Sequence, residues 1–170
     1  MHSIWTRANT LLTFFGTIAA ILCLLTTGTD LLHQSNPKVK LGLREVKRLV
    51  QHHGGKEHAV VTLDLDADLR SVFSWNTKQL FVFVQAEYET PENHVNQIVL
   101  WDHIIQQKER AHLQLANHKT KYAFIDTGRN LRDRPVNLTL VWCVMPRVGR
   151  MFSQQHSQPV GRLPAAYISS

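Results

Sequence analysis

The sequence predicts a single N-terminal transmembrane helix followed by an all-β, antiparallel β-sandwich domain. Three observations carry that expectation. No charged residue occurs from Ala8 to Thr29, and all but one of the 19 Lys and Arg residues lie beyond that block. Downstream, apolar residues recur with the period of two that marks a strand with one buried face. Short clusters of Gly, Pro, Asn and Asp separate these alternating runs, as in all-β domains built from several short strands.

The N-terminal element rests on Leu11 to Leu25, an apolar run interrupted only by Thr13, Gly16 and Thr17. As a helix, the uncharged block from Ala8 to Thr29 is roughly 33 Å long at about 1.5 Å per residue. That length fits a hydrocarbon core of about 30 Å. A cleavable signal peptide is the competing reading. Arg7 would then be the basic flank, and Thr26-Thr27-Gly28 would supply small residues at a cleavage site. Leu31 and Leu32 carry the apolar stretch past Asp30 and favour the anchor. The expected divisions are a tail at 1–10, a signal-anchor helix at 11–32, a sandwich at 33–146 and a basic C-terminal tail at 147–170. Positive-inside counting sets Arg7 against Lys38, Lys40 and Arg44, which alone would leave the domain in the cytosol. Long trailing domains, however, are translocated largely regardless of charge.

The strands follow in order. Val39, Leu41 and Leu43 alternate with polar or small residues, and every second residue from Val61 to Leu69 is apolar. Leu80 to Val84 is continuously apolar, the pattern of a central strand buried on both faces. Pro91 marks a turn before Ile98-Val99-Leu100-Trp101 and Ile104-Ile105. Tyr122 to Ile125 ends at Asp126-Thr127-Gly128. Val136, Leu138, Leu140, Trp142 and Val144 share one side of a strand bracketed by Pro135 and Pro146. The stretch from Leu69 to Gln79 is less regular and suits a helical turn. Arg147, Arg150 and Arg162 lie in a C-terminal stretch without an acid, read as an extended tail lying on a partner or on the domain.

Composition narrows the function. With 170 residues, 44% hydrophobic and 19% charged, the chain is one domain's worth and is neither disordered nor a coiled coil. The net charge of +6 is dispersed along the chain. It suits anionic headgroups or an acidic protein partner better than nucleic acid.

Each candidate for chemistry has a plain structural counterpart. Asp64, Asp66 and Asp68 project from one strand face, but lack the glycine turn and terminal glutamate of a calcium loop. They read as a solvated face. His52, His53 and His58 cluster beside Gly54-Gly55 without zinc-site spacing, and read as loop histidines. Cys23 and Cys143 fall too far apart in the predicted fold to pair, and no histidine adjoins Cys143. No GxSxG, phosphate loop or dinucleotide fingerprint occurs. The sequence therefore assigns no catalytic, cofactor-binding or metal-binding residue. Asn137-Leu138-Thr139 is the one glycosylation sequon, with Asn137 and Thr139 expected on the outward face. Trp75, Asn76 and Lys78 form a candidate partner-contact region, although a large aromatic such as Trp75 is more often a core residue.

Several ordered blocks also resemble one family. They are Arg7 to Thr10, Asp64 to Leu69, Val72 to Val84, Ala86-Glu87-Tyr88, Asn96 to Asp102, Lys119 to Tyr122, and Asn137 to Trp142. Together they resemble the signal peptidase complex subunit 3 family, the small glycoprotein subunit of the endoplasmic-reticulum signal peptidase. The end from Arg162 to Tyr167 is similar to plant members. Cys143 and Ser153 to Pro159 look variable, and His52 to His58 does not match the family pattern.

The resemblance implies a type II single-pass protein of the endoplasmic-reticulum membrane with a short cytosolic tail and a luminal sandwich. It implies a non-catalytic subunit without cofactors, glycosylated at Asn137. Its partners would be the serine-type catalytic subunit, the other accessory subunits and membrane lipid. A secreted or anchored sandwich acting as a ligand-binding or adhesion module is the alternative. A hydrolase using Asp64, Asp66 and Asp68 with a metal is a third reading.

Overall fold

The computed structural model describes residues 3–52 and 54–169. His53, one of the clustered histidines, lies outside the described residues. Helix α1 runs Ile4–Leu31, starting well before the predicted residue 11. Ser3 is its N-cap, its side-chain oxygen accepting from the Thr6 N–H. The helix has no polar face, and none of its residues is buried within the protein. Thr10, Thr13, Thr17, Thr26 and Thr27 each donate their hydroxyl to the carbonyl four residues earlier. These polar atoms are thereby satisfied within the helix, as an apolar surrounding requires.

Among the described residues eight strands follow: β1 (Lys38–Gln51), β2 (Glu57–Asp68), β3 (Thr77–Tyr88), β4 (Asn96–Ile105), β5 (His112–Lys119), β6 (Phe124–Asp126), β7 (Pro135–Pro146) and β8 (Phe152–Arg162). All pairings are antiparallel. In the first sheet β2 lies between β1 on one side and β5 and β6 on the other. The second sheet has the order β4-β3-β7-β8. The inner faces meet in one core. Ala59, Val61, Leu63, Leu65 and Ala67 of β2 belong to the same buried cluster as Leu80, Val82 and Val84 of β3 and Leu138, Leu140 and Trp142 of β7. Alternation in β2, β3 and β7 sends these side chains inward and their neighbours out.

Three sequence expectations are corrected and one is narrowed. Segment 147–170, expected as an extended tail lying on a partner or on the domain, lies on the domain, where β8 pairs with β7 along most of its length. Leu163 is buried, and Ile168 then exchanges both backbone hydrogen bonds with Leu49 of β1, at 2.9 and 2.8 Å. The C-terminus thus crosses from one sheet to the other. β8 escaped detection because it is an edge strand held by its backbone ladder, with almost every side chain exposed and no apolar alternation to read.

The run at Leu80 to Val84 is central, as expected, but buried on one face only, with Phe81 and Phe83 half-exposed outside. His58 lies in β2, not in a loop. Trp75 is outside the core, at 67% exposure. The irregular stretch before β3 does hold a helical turn, a short 3-10 segment at Arg70–Val72.

Candidate functional site

The most organised polar constellation outside the strand ladders joins α1 to the sandwich. Asn76 sits in the loop entering β3 and is 1% exposed. Its side-chain Nδ2 donates to Asp30 Oδ2 at 3.2 Å and to the Val148 carbonyl at 2.7 Å. Its Oδ1 accepts the Val148 N–H at 3.1 Å, and its backbone carbonyl accepts the Arg147 N–H at 2.7 Å. Beyond the helix, the His33 ring Nε2 bonds the Ser71 carbonyl at 2.8 Å, and Ser71 Oγ accepts from the Asn36 N–H. The helix end is therefore fastened to two loops of the domain. Sequence reasoning singled out Asn76 as a partner contact, whereas the fold uses it as an internal fastener.

The predicted site residues are dispersed. Asp64 pairs with Arg44 at 3.2 Å, Asp66 with His112 at 2.9 Å, and Asp68 with Arg70 at 2.6 Å. Each aspartate has its own partner, and the Arg70 hydrogen bonds hold the Asp68 carboxyl well below the usual range. Among the described residues, no three His, Cys, Asp or Glu side chains gather to hold a metal. The rings of His52 and His58 lie 4.2 Å apart. Burial, then the His52, Lys56 and Arg48 charges, push the His58 pKa down. Cys23 and Cys143 are both free thiols.

Asn137 is exposed on the outward side of β7, at the end far from α1. Thr139 shares that side but is 0% exposed, its hydroxyl bonded to Ser157 Oγ of β8. Two carboxylates to which the sequence reading assigned no role act as internal ties. Glu57 accepts from the Leu131 N–H at 2.7 Å, from Arg132 Nε at 3.2 Å and from the Tyr167 hydroxyl at 2.7 Å. Asp126 accepts from the Tyr88 hydroxyl at 2.7 Å and from the Gly128 N–H at 2.8 Å. Their signal in the sequence was slight: a single acid at the end of an apolar strand.

This geometry defines a class: a β-sandwich fastened, among the described residues, to one helix long and apolar enough to cross a membrane. The profile of the Signal peptidase subunit family matches residues 1–166. The chain belongs to that family. It is 36% identical to signal peptidase complex subunit 3 of Drosophila melanogaster, covering 100% of this chain and 99% of the fly protein. It is 40% identical to the Gallus gallus protein of the same name and 39% identical to that of Homo sapiens, each covering 88% of this chain and 86% of the relative.

Proposed function

We propose that this chain is a non-catalytic subunit of the endoplasmic-reticulum signal peptidase complex. In this role it supports the serine-type catalytic subunit in removing signal peptides from nascent secretory and membrane proteins. The observation that carries the reading is the family match over residues 1–166, which takes in both α1 and the sandwich. The mechanism is positional. α1 anchors the chain, and the Asn76 fastening holds the sandwich beside the membrane, where a domain face meets the catalytic subunit.

The sandwich is luminal in this reading, with residues before α1 in the cytosol. An exposed Asn137 supports that side, since sequons are used only after translocation. Asn137 is then the glycosylated residue, placed at the end of β7 away from the anchor, where a glycan leaves the membrane-proximal half of the sheet open.

Affinity capture of the tagged full chain from detergent-solubilised microsomes tests the reading. Recovery of the signal-peptidase catalytic subunit is expected, and its absence overturns the proposal. Glycosidase treatment should increase gel mobility of the native chain but not of Asn137→Gln. Unchanged mobility of the native chain counts against the glycan and removes that support for a luminal sandwich.

A further inference from the structure

The loops fastened to α1 sit at a depth that the length of the helix sets, and this inference rests on reading α1 as the membrane anchor. The 28 residues of α1 span roughly 42 Å at about 1.5 Å per residue, against a hydrocarbon core of about 30 Å. Centring the uncharged block from Ala8 to Thr29 in the bilayer places the last turn at headgroup depth. Whatever touches that turn is at the same depth. Two loops do. Asn76 reaches Asp30, and Gly149 packs so closely on Thr27 that a Cβ there would lie 3.1 Å from its hydroxyl oxygen.

Beside these contacts the loops expose the side chains that the interface favours. Trp75 is 67% exposed, Met151 is 63% exposed and Phe152 is also open to solvent. Leu31 and Leu32 at the helix end are exposed as well, and Leu31 lines a cleft together with Phe152. Trp is enriched at headgroup level because its ring is apolar and its N–H polar. Lys78, Arg147 and Arg150 are exposed around them and enter none of the ion pairs among the described residues. Between helix and loop lies a cleft of about 350 Å³ lined by Thr27, Leu31, His33, Val148, Arg150 and Phe152.

We propose that Trp75, Met151 and Phe152 insert into the phospholipid interface on the domain's side of the membrane, with Lys78, Arg147 and Arg150 over lipid phosphates. The domain then rests on the membrane at a second place besides its helix, which fixes its tilt. Three basic side chains beside a buried apolar area add electrostatic attraction to lipid phosphates.

The test places a nitroxide on the full chain in a Cys23→Ser, Cys143→Ser background. The chain is reconstituted in vesicles of phosphatidylcholine and phosphatidylserine in a four-to-one ratio. Separate labels go on Trp75→Cys, Met151→Cys, Glu92→Cys in the loop at the far end of β3, and Ile18→Cys within α1. The readout is accessibility to oxygen relative to a water-soluble nickel chelate. Labels at 75 and 151 should show a ratio several-fold above that at 92, and the label at 18 the highest ratio. Ratios at 75 and 151 equal to that at 92, with 18 still deep, overturn the interface proposal and leave the anchor standing. A water-exposed label at 18 overturns the anchor itself. Labels at 75 and 151 shielded from both reagents mean that protein, such as a second copy, covers the surface, which also overturns the proposal.

Discussion

The carboxylate of Asp30, in the last turn of α1, accepts a 3.2 Å hydrogen bond from the side-chain amide of Asn76. The same amide bonds the Val148 carbonyl, and its oxygen takes the Val148 N–H. One buried side chain thus joins the anchor, the loop entering β3 and the loop between β7 and β8. Asn76→Ala removes all three side-chain bonds and strips the backbone of residue 148 of its partner. The expected cost is about 1–3 kcal/mol. Chemical denaturation of the detergent-solubilised chain measures it. Hydrogen exchange at Val148 should accelerate well beyond exchange in the β3–β7 ladder, and unchanged exchange there would show that the fastening is dispensable.

Glu57 ties the first sheet to the C-terminus. Its side chain is fully buried and accepts from Leu131, Arg132 and Tyr167. Glu57→Ala orphans a buried backbone N–H and leaves the Tyr167 hydroxyl without its carboxylate. A loss of about 2–4 kcal/mol is expected, between that of one unsatisfied group and that of a broken buried pair. Tyr167→Phe removes only the hydroxyl and should cost less, about 1 kcal/mol. Equal losses for the two variants would place the role of Glu57 in Tyr167 alone.

Much of this architecture was legible because burial writes a period into the sequence. Val61 to Leu69 and Val136 to Val144 alternate, and each became a strand with the predicted inner face. β8 was not legible, since an edge strand with exposed side chains needs no apolar alternation. β5, whose only partly buried apolar residues are Leu113 and Leu115, was missed because so short a pattern on an edge strand does not stand out. Trp75 misled because residue type favours burial, whereas this tryptophan stands in the loop entering β3, outside the core. The candidate site was legible only as residue types. Asn76 stood out in a turn, but its partners Asp30 and Val148 lie 46 and 72 residues away. Spacing arguments do not reach pairs brought together by the pairing of β3 with β7 and by the docking of α1.

Gly149 is a position where the fold needs glycine twice over. Its φ of +109° disfavours any L side chain, and an added Cβ would press on Thr27 at 3.1 Å. Gly149→Ala should cost about 1–3 kcal/mol through backbone strain alone. Replacing Thr27 as well, by Ala, relieves only the contact. The double variant Thr27→Ala, Gly149→Ala should therefore stay well below the parent in thermal stability while recovering part of the loss. Full recovery would mean that the contact, not the backbone, is what forbids a side chain.

His58 supplies the pH dependence. Burial in β2 is the larger cause that lowers its pKa from the ordinary 6.5, followed by the charges of His52, Lys56 and Arg48. The unfolded histidine takes its proton near 6.5, and the folded one only at lower pH. Between those values the unfolded chain binds more protons, so stability falls as pH drops through 6.5 and levels off below the folded pKa. An NMR titration of the His58 ring should show a midpoint below 6.5, and a midpoint at or above that value would reverse the sign. His52→Gln removes the neighbouring imidazole 4.2 Å away. The His58 midpoint should then rise without reaching the ordinary value, because the burial of the strand remains.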